Sequence, residues 1–96
     1  MKVSEITLSN IAGYLKLNDG EFTESELQMY LNASMAYVKA YTGLDAAGLD
    51  LHEDITVAVL ILCQDMYDNR SMYTEKSSLN QVAEKILSMH KNSAAT

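Results

Sequence analysis

The sequence predicts an all-α domain, a small bundle of four helices packed around a buried central helix at about residues 52–70. Three observations carry that expectation. From Val57 to Cys63 every residue is apolar, and at about 100° per residue such a run points all the way round a helix, leaving no polar side to give to water. Three further stretches repeat apolar residues at the i, i+3, i+4 and i+7 spacing of one helical face. Proline is absent, and no β-rich window alternates apolar and polar residues over the length of a strand.

The chain of 96 residues is long enough for one domain with a single thin core, so residues 1–96 are read as one unit. Apolar residues make up 48% of it, which favours a globular chain over a disordered one. With 13 acidic against 7 basic residues the net charge is −6. That argues against a phosphate-binding surface, which needs Lys and Arg gathered on one face. The longest apolar run is well short of the roughly 18 to 20 residues of a membrane span, and the N-terminal stretch lacks a basic start followed by an apolar block. A soluble protein without an export signal is expected. Cys63 is the single cysteine, so no internal disulfide is available. A reducing cytoplasm is the expected home, with Cys63 an inert core thiol.

Taken in order, Met1 to Glu5 reads as a polar lead-in. Thr7 caps a first helix over residues 8–16, with Leu8, Ile11, Ala12 and Leu15 on one face and Gly13 weakening it. Residues 17–22 form a loop, with turn chemistry in Asn18, Asp19 and Gly20. Thr23 and Glu26 have the form of a capping box. They open a second helix that runs to Thr42 and is ended by Gly43, and Phe22 is placed to staple onto Leu27. On this helix Leu27, Tyr30, Leu31, Ser34, Tyr37, Val38 and Tyr41 form the face assigned to the central helix. A second stripe of mostly small residues, Met29, Ala33, Ala36 and Ala40, lies about 130° away. Small side chains at this spacing let another helix approach closely, either the first or last helix of the same chain or one from a neighbouring subunit.

Residues 44–51 read as a connection, and Asp50 with Glu53 as a capping box for the central helix. After Cys63 that helix turns amphipathic: Gln64, Asp65, Asp68, Asn69 and Arg70 are polar, while Met66 and Tyr67 continue the apolar faces. Residues 71–76 form a loop that exposes Met72 and Tyr73. Ser77 or Ser78 caps a last helix over residues 79–90, whose apolar face is Leu79, Val82, Ala83, Ile86 and Met89. Lys85 and Lys91 suit its C-terminal end, and residues 92–96 are expected to be a disordered tail.

Catalysis needs a nucleophile, an acid or base, or a metal gathered in one place, and the chain offers poor material for it. His52 and His90 are far apart in sequence, sit at helix ends and have no second His or Cys at ligand spacing, so both read as structural or solvated. Asp65 and Asp68 share a helix flank, but without a partner cluster they read as a solvated pair or as partners of Arg70 or a lysine. The sequence contains no phosphate-cradling glycine loop, no Gly-x-Ser-x-Gly and no Cys-x-x-Cys. No catalytic residue, metal ligand or cofactor is therefore assigned, and an enzyme is not expected. Tyrosine is the one enrichment: Tyr14, Tyr30, Tyr37, Tyr41, Tyr67 and Tyr73. Such residues form the rim of a core or anchor an interface. Tyr30, Tyr37 and Tyr41 read as core rim, whereas for Tyr73 both readings stand. Arg70 reads either as a helix-end charge or as a partner contact.

The order of several features resembles a known family. Ile6-Thr7-Leu8 leads to Tyr14-Leu15-Lys16-Leu17. A long helix then ends Ala36-Tyr37-Val38-Lys39-Ala40-Tyr41-Thr42-Gly43, and an apolar helix closes on Met66-Tyr67-Asp68-Asn69-Arg70. Over residues 6–70 this resembles the head-tail connector (adaptor) proteins of long-tailed bacteriophages and prophages. The last helix departs from the pattern, giving Ser88-Met89-His90-Lys91 where an arginine-bearing tail is looked for. The resemblance implies a structural subunit of the virion. Such subunits form a ring, typically dodecameric, beneath the portal protein, where they extend the DNA channel without specific binding and offer a platform to stopper or tail-completion proteins. They assemble in the bacterial cytoplasm and are able to stay monomeric until they meet their template. Neighbours in such a ring meet head to tail through two different surfaces. The candidates here are Met29, Ala33, Ala36 and Ala40 on one side and Met72 and Tyr73 on the other, with Arg70 as a rim charge. Two other readings compete: a small helical regulator that binds a host or phage protein as a monomer or dimer, and a helix-turn-helix packaging accessory, which the shortage of basic residues disfavours.

Overall fold

The computed structural model describes residues 1–18, 20–68 and 81–90. Among them there is no strand. A 3-10 turn at Val3–Glu5 is followed by α1 (Leu8–Leu15), α2 (Glu24–Thr42), α3 (Ala46–Asp50), α4 (Glu53–Asp68) and α5 (Gln81–Ser88). The all-α class stands, with α4 as the hub. It packs most closely against α5 and α2, and also touches α1, α3 and the N-terminal turn.

Local hydrogen bonds explain where the helices begin and end. The Thr7 hydroxyl accepts the Asn10 N–H at 3.1 Å while the Asn10 side chain accepts the Thr7 N–H at 2.9 Å, so both ends of α1's first turn are satisfied. Thr23 caps α2 by accepting the Glu26 N–H at 3.1 Å. At the other end Gly43 takes the left-handed conformation, φ 75°, and returns its N–H to the Lys39 carbonyl at 2.9 Å. Thr42 is fully buried there. Its hydroxyl donates to the Val38 carbonyl at 2.8 Å and accepts the Leu44 N–H at 3.2 Å.

The structure corrects the sequence reading in five places. The stretch 44–51 is not a plain connection: Asp45 accepts the Gly48 N–H at 2.8 Å and caps α3, which drives Leu49 into the core. Asp50 does not cap α4. It ends α3, and its carboxylate accepts the Ser4 N–H at 2.9 Å and the Ser4 hydroxyl at 2.7 Å. The lead-in is not merely polar, because Val3 and Ile6 share one side of a tight turn and are both buried. That turn is fastened by the Thr56 hydroxyl, which donates to the Met1 carbonyl at 2.8 Å.

The fourth correction concerns the central helix, which is not enclosed all round. Ile55, Ala58, Val59 and Cys63 are fully buried, yet Val57 is 45% exposed and Leu60 and Ile61 are only half-buried. These three share a line with exposed Gln64 and Asp68, the side its described neighbours leave open. The fifth concerns α5. Ala83 and Leu87 are its fully buried residues and Ile86 is half-buried, whereas Val82 and Met89 are 57% and 68% exposed. The buried face is turned toward Leu87 and His90, because α5 presses on α4 and α2 from one side only.

Several expectations lie outside the described residues. They are Asp19 in the first loop, Asn69 and Arg70 at the end of the central helix, the loop 71–76 with Met72 and Tyr73, the Ser77 or Ser78 cap, Leu79, Lys91 and the tail 92–96.

Candidate interaction surface

The 19-residue helix α2 divides its sides sharply. Leu27, Tyr30, Ser34, Val38 and Thr42 recur at three- and four-residue steps and are all buried. Small size matters at the middle of this row: the Ser34 hydroxyl lies 3.6 Å from the Cys63 thiol of α4, so two small polar groups meet where two long helices press together. Burial pushes the Cys63 thiol above its ordinary range, and the Ser34 hydrogen bond only partly opposes it. A thiol in that setting is protonated and inert.

On the opposite side Met29 is 60% exposed, and Ala33, Ala36 and Ala40 are exposed with it. Of the two uses expected for this stripe, filling by the chain's own first or last helix is contradicted: α1 and α5 both reach α2, but neither covers the stripe. The stripe is apolar, and the helix that carries it buries its other side in the core. Partly exposed Tyr37 lies outside the buried row, its ring 5.8 Å from that of Tyr41. Burial, then the neighbouring Tyr41 and Glu84, hold the Tyr37 phenol above its ordinary range. It therefore stays a neutral hydrogen-bond donor beside the stripe. Tyr30, the third residue read as core rim, is buried and donates its hydroxyl to Glu26 at 2.7 Å.

The structure thus places Met29, Ala33, Ala36 and Ala40 together on one open face. Arg70, Met72 and Tyr73, the other expected half of the surface, lie outside the described residues. Sequence reasoning missed two further features. One is the apolar line of Val57, Leu60 and Ile61 on α4, hidden inside a run in which no residue differs from its neighbours in polarity. The other is the meeting of His52 and His90, read as separate residues. Their rings stack 4.1 Å apart at 28°, and His90 Nε2 lies 2.8 Å from Asp54 Oδ2. Asp54 alone carried a signal, as an acidic residue in the first turn of a helix.

Asp65 is half-buried and Asp68 exposed. Among the described residues no group of three or more His, Cys, Asp or Glu side chains is disposed to hold a metal ion, and no helix is long and apolar enough to cross a membrane. What this arrangement can do chemically is recognise another apolar surface by shape. Comparison of the chain with protein-family models, with curated proteins and with solved structures finds no match.

Proposed function

We propose that this chain is a head-tail connector (adaptor) subunit of a long-tailed phage or prophage, which self-associates into a ring under a portal protein and is not an enzyme. The observation that carries the reading is the open face of Met29, Ala33, Ala36 and Ala40 on a helix whose other side is locked into the core. A flat stripe of alanines costs little conformational entropy to bury and admits a partner backbone closely. The order of sequence features over residues 6–70 supplies the identity of the assembly. An acidic subunit with net charge −6 suits a channel through which DNA must slide without being gripped. In such a ring the stripe of one copy meets a different surface of the next.

The test is assembly. The double variant Ala33→Glu with Ala36→Glu puts two charges on the stripe. With the portal present, the wild type is expected to reach ring mass by light scattering or native mass spectrometry, and the variant to stay monomeric with an unchanged helical circular-dichroism spectrum. Unchanged assembly of the variant would remove the stripe from the interface. A wild-type dimer indifferent to portal would replace the connector by the small-regulator reading.

A further inference from the structure

We draw no further inference here: the strongest candidate, the apolar line of Val57, Leu60 and Ile61 along one side of α4, is an unpartnered helix face, and nothing in the structure shows what covers it.

Discussion

The Ser34 hydroxyl and the Cys63 thiol meet 3.6 Å apart, both fully buried, on the seam between α2 and α4. The seam closes because each helix contributes a small residue at that level. Ser34→Leu forces extra methylene groups into it and is expected to lower stability by about 2 kcal/mol, read as an unfolding midpoint in urea. Cys63, held protonated by burial, should resist alkylation in the native protein at about pH 8 and react readily once unfolded. Rapid labelling of native protein would contradict the placement.

Asp50 gives a pH dependence with a defined sign. The Ser4 hydroxyl, then the Ser4 N–H, hold its carboxyl below the ordinary range. Because the folded value is the lower one, the contribution is fully present above the unfolded carboxylate value, and it is lost as pH falls through the folded one. Asp50→Asn should therefore be less stable than wild type at neutral pH, with the gap narrowing below about pH 4. Thermal melts at the two pH values check this, and a gap that does not narrow counts against the Ser4 contacts.

Lys16 closes α1 in the left-handed region, φ 59°, where a side chain crowds its own backbone. Lys16→Gly is expected to raise stability by about 0.5 to 1 kcal/mol, or a few degrees in Tm. Lys16→Val, with a branched Cβ, should lower it. Equal melting temperatures for the two would mean that position 16 does not hold this conformation.

The two possible faces of α5 are separable by substitution. Leu87→Ala empties a fully buried site and should cost about 2 to 4 kcal/mol. Val82→Ser, at a residue 57% exposed, should change stability by less than about 0.5 kcal/mol. The reverse order would restore the face through Val82 and Met89.

The caps at Thr7 and Thr23, the Gly43 terminus and the extent of α2 were legible in the residues themselves. So was the division of α2 into a core side and the stripe of Met29, Ala33, Ala36 and Ala40. Within that core side Thr42 was missed: it reads as a helix end, and its burial arises because α2's last turn lies against the rest of the bundle. The face of α5 was misread because Val82, Ala83, Ile86, Leu87 and Met89 allow two overlapping apolar faces, and periodicity alone does not choose between them. The α3 turn was overlooked although Asp45 signals it, since five residues make too short a period to detect.

What the sequence determined by itself is the all-α class and the limits of α1 and α2, because capping bonds and helical periodicity join residues only three or four positions apart. The tertiary structure decided which apolar residues face outward, that the stripe on α2 is left open, that Ser4 claims Asp50, and that His52 meets His90. Those outcomes depend on how separate helices lie against one another, a matter of packing that no local spacing along the chain encodes.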